Sequence, residues 1–252
     1  MARPPVPGPP DAGPPGTDAR PVLGLDADDT LWENEERFHE VEARFRDLVS
    51  PWADGDAADA ALLATERANI TRHGYGIKGF VLSMELTAIG LSGGAVTAAD
   101  LGRIIGWGHE MMAHPIELLD GVAETLEVLA CSHRILVITK GDLGDQLGKV
   151  ARCGVDHLFW HVDVVPEKDP AAYRRVLAGR GVDPARFTMV GNSVKSDVLP
   201  VLAIGGRAVH VPHTTTWVFE EPDPEEVAAV EFPVLGSFRD LPTFLDGSDP
   251  VS

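Results

Sequence analysis

The chain has 252 residues, a formal net charge of −18 and 44% hydrophobic residues. That length buries a sizeable core and suits one α/β domain, alone or with an insert, while the negative field disfavours nucleic acids and anionic membranes as partners. No apolar run approaches the ~20 residues that span a bilayer. The N-terminus lacks the apolar stretch of a secretory signal, so a cytoplasmic location is expected, with the two cysteines, Cys131 and Cys153, reduced.

Residues 1–21 hold eight of the twenty prolines and three glycines, with almost nothing apolar to bury. Residues 1–20 are therefore expected to be a disordered or polyproline-like tail outside the fold. The first apolar run, Val22-Leu23-Gly24-Leu25, has the character of a buried strand and leads directly into Asp26-Ala27-Asp28-Asp29-Thr30. Three carboxylates in four residues at a strand end repel one another and resist desolvation, so positive charge is expected there, most simply a divalent cation. In an extended segment Asp26 and Asp28 point to the same side. One then suits a nucleophile and the other a proton carrier.

The next hundred residues read as helices, at about 33–50, 56–73, 77–90 and 97–112, punctuated by Gly74-Tyr75-Gly76 and Ser92-Gly93-Gly94. This is too long for a single crossover. It is expected to be an all-helical insertion over 33–114, with His114-Pro115 marking the return to a core made of 21–32 and 115–252. From there, strand candidates at 134–139, 158–162, 187–190 and 207–211 alternate with helices at 121–131, 142–153, 169–180 and 194–204. Such alternation predicts a doubly wound parallel sheet, an α/β fold that binds ligands at the carboxyl ends of its strands. Beyond 212 the pattern predicts a solvated acidic loop over 220–226, a further strand over 227–232 and a short helix over 238–245.

The residues after each strand carry the chemistry. The first strand is followed by Asp26 and Asp28, the second by Thr139-Lys140-Gly141, the third by Pro166-Glu167-Lys168-Asp169-Pro170, and the fourth by Gly191-Asn192-Ser193-Val194-Lys195-Ser196-Asp197. In this order, over roughly residues 21–212, the chain resembles the haloacid dehalogenase (HAD) superfamily of phosphatases, whose four motifs match Asp26-x-Asp28-x-Thr30, Thr139, Lys168 and Gly191-Asn192 to Asp197. The helical insert is similar to the cap of the subfamily whose cap follows strand one.

The resemblance implies a Rossmann-like core and a Mg²⁺-dependent phosphatase acting on a small phosphorylated metabolite. Asp26 would attack phosphorus to form an aspartyl-phosphate, and Asp28 would carry protons to the leaving group and from water. Thr139 and Lys140 would bind the phosphoryl group, and Lys168 would neutralise both it and Asp26. Mg²⁺ would be held by Asp26, the Asp28 carbonyl, Asn192 and Asp197. Many relatives carry Gly-Asp where this chain has Gly191-Asn192. A weaker metal site that leans more on Asp197 is expected, because an amide oxygen has no charge. A phosphomutase using the same intermediate and a non-catalytic binding protein on the same scaffold are the alternatives. Asp29 and Thr30 suit a helix cap; Arg72, His73, Tyr75 and Lys78 suit either contact with the leaving group or an ordinary polar loop between helices, and Trp32 either closure over the substrate or a core or hinge-packing role. Lys195 suits either a solvated position or the mouth of the site, and oligomeric state is left open.

Overall fold

A computed structural model of the protein describes residues 20–215 and 217–247. The predicted Pro-rich tail falls almost wholly outside these residues. Five strands, β1 (Val22–Leu25), β2 (Arg134–Lys140), β3 (Phe159–Val165), β4 (Phe187–Gly191) and β5 (Arg207–His210), form one sheet in the order β3-β2-β1-β4-β5. Every pairing is parallel. All four β1 residues are buried, as are Ile135–Thr139 of β2 and all of β4. Their continuous apolar runs reflect a sheet covered on both faces.

Helices separate the strands. Between β1 and β2 lie α1 (Glu35–Val49), α2 (Gly55–His73), α3 (Ile77–Leu91), α4 (Ala98–Ala113) and α5 (Val122–Ser132). α6 (Leu143–Val150), α7 (Pro170–Gly179) and α8 (Leu199–Leu202) connect the later strands, and α9 (Pro224–Ala228) and α10 (Leu241–Leu245) follow β5. Local chemistry sets many of the starts. The Asp54, Asp142 and Asp169 side chains accept backbone N–H groups at the heads of α2, α6 and α7, and Thr97 with Asp100 forms a capping box on α4.

Two apolar layers cover the sheet, one built around Leu23, Leu25, Val137, Leu126 and Leu129, the other around Leu136, Ile138, Met189, Tyr173 and Val201. A third core, including Val41, Phe45, Leu62, Phe80, Met84 and Ile104, comes entirely from α1–α4. The predicted helical insertion is thus a unit with an interior of its own, and the α/β doubly wound fold is the one observed. Gly24 makes the central strand possible, because a Cβ there would meet the Phe187 ring at 2.3 Å.

Two local expectations fail. Residues 227–232 are not a strand. Asp223 accepts the Glu225 N–H, Pro224 occupies the first turn, and Glu225 and Glu226 sit where a helix favours negative charge, so the segment opens as α9. The helix expected over 194–204 begins instead as a π turn, Val194–Val198, before the four residues of α8. The chain order reverses about β1, since β2 and β3 lie on one side and β4 and β5 on the other. This switch point puts the ends of β1 and β4 beside a crevice.

Candidate active site

Asp26 follows β1 directly, and its N–H donates to the Val190 carbonyl at 2.9 Å, which locks the end of β1 to β4. Its carboxylate contacts Lys168 Nζ and lies 3.1 Å from Thr30 Oγ1. Lys168 also reaches Asp197 Oδ1 at 2.7 Å, so one buried ammonium bridges two buried carboxylates. Burial pushes the Asp26 carboxyl up to about 7, against the pull of Lys168. It also raises Asp197 despite the same lysine. Burial opposes the Lys168 charge as well, but Asp197 and Asp26 outweigh it and hold the ammonium protonated. Asp197 folds back under Gly191: a Cβ on that residue would lie 2.1 Å from Asp197 Oδ2. The same oxygen accepts the Ser193 N–H at 3.1 Å.

Asp28 shares the strand end but has different partners. Lys149 Nζ lies 2.9 and 3.0 Å from its two oxygens, Gln146 Nε2 is 2.8 Å away and Trp32 Nε1 2.7 Å. Burial opposes its charge, but Lys149 and these donors prevail and keep the carboxyl below the ordinary aspartate range. Gln146 and Lys149, three residues apart on one face of α6, tie Asp28 to the second strand end, since Thr139 Oγ1 donates to Gln146 Oε1 at 3.1 Å. Lys149 further donates to Asn34 Oδ1 at 2.7 Å, at the entry to the helical unit. Trp32 is fully buried and serves as a hydrogen-bond donor to Asp28. It is part of the floor and not a flap over the site.

Asp29 takes a structural part. It has φ +60°, and its Oδ1 accepts the N–H groups of Asn34 and Glu35 at 2.8 and 3.1 Å, capping α1. Thr30 is the link between β1 and the fourth motif, with Oγ1 accepting the Asn192 N–H at 3.1 Å and lying 3.2 Å from Asn192 Oδ1.

Lys140 points into the same cavity but is already compensated. It pairs with Glu220 and with Glu167 (3.2 Å) and lies 4.1 Å from the Tyr75 ring centroid. Glu220 in turn accepts from the hydroxyls of Ser193 and Ser196, each at 2.5 Å. The segment after β5 thus returns over the site, and Trp217 packs edge-on to Tyr75 with centroids 5.6 Å apart. Tyr75 donates to Glu167 Oε2 at 2.6 Å, joining the helical unit to the core. Of the other candidates there, Arg72 and His73 are exposed and Lys78 pairs with Asp142 at 3.0 Å. Lys195 is exposed and donates to the Phe219 carbonyl.

Asp26, Asp28, Thr139, Lys140, Lys168, Asn192 and Asp197 all line one cavity of about 150 Å³ between the strand ends and α1–α3. The donor set suits a hard divalent cation. Asp26, Asp197 and Asn192 supply oxygens, and around Lys168 two buried carboxyl groups face a single ammonium. A second grouping, Asp29, Glu33 and His213, brings its potential ligand atoms within 4.8 Å of one another. There Asp29 is already committed to capping α1.

Gln146, Lys149 and Glu220 are site residues that the sequence alone does not reveal. Polar residues on a short helix and in an acidic loop have the same pattern as solvated ones, and only the packing turns them inward.

The model of the haloacid dehalogenase-like hydrolase family matches residues 22–205. A haloacid dehalogenase-like family hydrolase from Xanthomonas campestris is 36% identical, with a TM-score of 0.80 over 92% of this chain and 94% of that one. The fold is also shared, at a TM-score of 0.62 in each case, by L-2-haloacid dehalogenase from Xanthobacter autotrophicus with chloropropionic acid covalently bound and by YfnB from Bacillus subtilis bound to magnesium. These are 17% and 14% identical; each alignment covers 91% of this chain and 100% of the other. No curated protein matches significantly.

Proposed function

From the premise that this chain belongs to the haloacid dehalogenase-like hydrolases, we propose that it is a Mg²⁺-dependent phosphatase that hydrolyses a small phosphomonoester through an aspartyl-phosphate on Asp26. The observation that carries the reading is the pair of carboxylates at one strand end with separate supports, Asp26 on Lys168 and Asp28 on Lys149. A departing halide needs no proton whereas a departing alkoxide does, so a phosphatase calls for an acid at the Asp28 position that a dehalogenase does not.

In the first half-reaction an Asp26 oxygen bonds to phosphorus, the ester P–O bond breaks, and Asp28, ionised at rest, relays to the departing oxygen the proton that a monoanionic phosphate ester brings. In the second, water attacks phosphorus and gives its proton to Asp28, and the bond to Asp26 breaks to release inorganic phosphate. Lys168 spreads positive charge over Asp26 and the phosphoryl oxygens, and Thr139 offers its hydroxyl. Lys140, held by Glu167 and Glu220, adds positive potential at the mouth. Asp26, the Asp28 carbonyl, Asn192 and Asp197 would hold Mg²⁺, which supplies charge neutralisation at the phosphoryl oxygens. The helical unit α1–α4 acts in this reading as a cap over the strand ends. A small phosphorylated metabolite fits the size of the cavity, where Lys168 and Lys140 offset locally a net negative charge that disfavours nucleic acids and anionic membranes as partners. Among the described residues no helix is long and apolar enough to cross a membrane.

Asp26→Asn tests the proposal. It should abolish hydrolysis of an aryl phosphate in Mg²⁺ while leaving the circular dichroism spectrum unchanged. Undiminished turnover in that variant would refute the nucleophile.

A further inference from the structure

The cavity that holds Asp26 and Lys168 at one end is lined at the other by Glu35, Phe38, Glu66, Asn69, Phe80 and Ser83 of α1–α3. The two ends have opposite chemistry. At the α1–α3 end the Glu35 side chain is 9% exposed, and His39 Nε2 lies 3.8 Å from its Oε1. Among the described residues no group donates a hydrogen bond to its carboxylate. Burial, followed by the charges of Asp29, Glu42 and Glu66, pushes it up to about 8. Glu66 is partly buried, and burial and Glu42 push it up to about 7.

An independent feature points the same way. Asn69 is only 5% exposed, and its amide nitrogen donates to Ser83 Oγ at 3.0 Å, which itself donates to the Gly79 carbonyl at 2.8 Å. Asn69 Oδ1 is thereby left facing the cavity with no donor among the described residues. Phe38 and Phe80, with ring centroids 5.0 Å apart, add two aromatic rings to the same wall. This end therefore presents acceptors and π faces, with no lysine or arginine among the described residues paired to its carboxylates, and burying uncompensated carboxylates is costly unless a ligand completes them. An ammonium group meets every one of these demands, with donors for the oxygens, charge for the carboxylates and a cation for the rings.

We propose that the α1–α3 end of the cavity binds an ammonium group on the substrate's leaving alcohol, so that the preferred substrates are aminoalkyl phosphomonoesters. The phosphate end of this assignment rests on the phosphatase reading above; the ammonium site does not.

The test is calorimetric binding to the full-length Asp26→Asn protein with Mg²⁺, which keeps each ester intact. Aminoalkyl phosphates of increasing length, starting from 2-aminoethyl phosphate, are compared with alkyl and hydroxyalkyl phosphates of matched length. At the best length the amine should bind about tenfold more tightly than either partner, and adding Glu35→Gln with Glu66→Gln should erase that advantage. Equal affinities at every length, a hydroxyalkyl ester binding as tightly as the amine, or an advantage that survives both substitutions would overturn the proposal. If the parent protein fails to hydrolyse aryl phosphates but the amine advantage is present, the phosphatase reading falls and the ammonium site stands. Hydrolysis without the advantage would overturn the ammonium site and leave the phosphatase standing.

Discussion

Lys149 and Asp28 form a close ion pair, with Nζ 2.9 and 3.0 Å from the two carboxylate oxygens, between the last turn of α6 and the loop that follows β1. The Lys149 side chain is 10% exposed and that of Asp28 21%, so the contact is largely withdrawn from water. It holds Asp28 ionised, the form that accepts the proton of the attacking water, and aims it through Gln146 toward Thr139. Removing one partner of such a pair leaves the other buried and uncompensated. Lys149→Met should therefore cost about 3 kcal/mol in urea unfolding and lower kcat for an aryl phosphate at least tenfold. A variant with unchanged stability would show that solvent replaces Lys149 at no cost.

Gly191 is needed so that Asp197 can lie beneath it and reach Lys168. A methyl group there would stand 2.1 Å from Asp197 Oδ2. Gly191→Ala should displace the Asp197 carboxylate, raise the Mg²⁺ concentration needed for half-maximal activity and lower kcat. Mg²⁺ dependence identical to the parent's would mean that Asp197 serves the lysine alone.

The neutral amide of Asn192 makes the reverse case. Asn192→Asp adds a charged oxygen to the donor set, and affinity for a hard cation follows ligand charge. Calorimetric titration should show Mg²⁺ bound about tenfold more tightly. Equal affinity would place Asn192 outside the metal's reach, as a partner of Thr30 only.

Glu35 bears on stability through pH. Its carboxyl titrates near 8 in the folded protein because it is buried beside other acids, whereas an unfolded glutamate titrates near its ordinary value of about 4.3. The folded state thus retains a proton that the unfolded state has lost across that window, and stability falls as pH rises through it. Glu35→Gln cannot lose that proton. The variant should match the parent at pH 4, exceed it by several degrees in Tm at pH 8, and gain nothing more above that. A constant difference across the range would assign its effect to packing. The same variant should lose selectivity for aminoalkyl esters, a stability gain at the expense of the site.

Local patterning was enough to find the architecture. Apolar runs at 22–25 and 134–139 mark strands because a strand buried on both faces must be apolar throughout, and longer stretches between glycine and proline breaks mark the helices that separate them. Asp26, Lys168 and Asp197 were singled out for a related reason: Asp26 directly follows β1, and Lys168 and Asp197 lie three and six positions past the ends of β3 and β4, so the chain order itself delivers them to one edge. The segment over 227–232 misled because its two valines suggested a strand while its capping residues decided for a helix.

The identity of each residue's partner lies beyond local patterning. Nothing along the chain ties Lys149 to Asp28 across 121 positions, Tyr75 to Glu167 across 92, or Glu220 to Lys140 across 80. A polar side chain on a helix has the same sequence whether it faces water or a carboxylate. Only the packing of α6 on the sheet, and the closure of α1–α3 over it, decides which charges are compensated. The acidic run after β1 announced a reactive site by its repulsion alone, whereas Glu35 and Glu66 stand out only once folding has drawn them into one cavity wall with no lysine or arginine among the described residues paired to them.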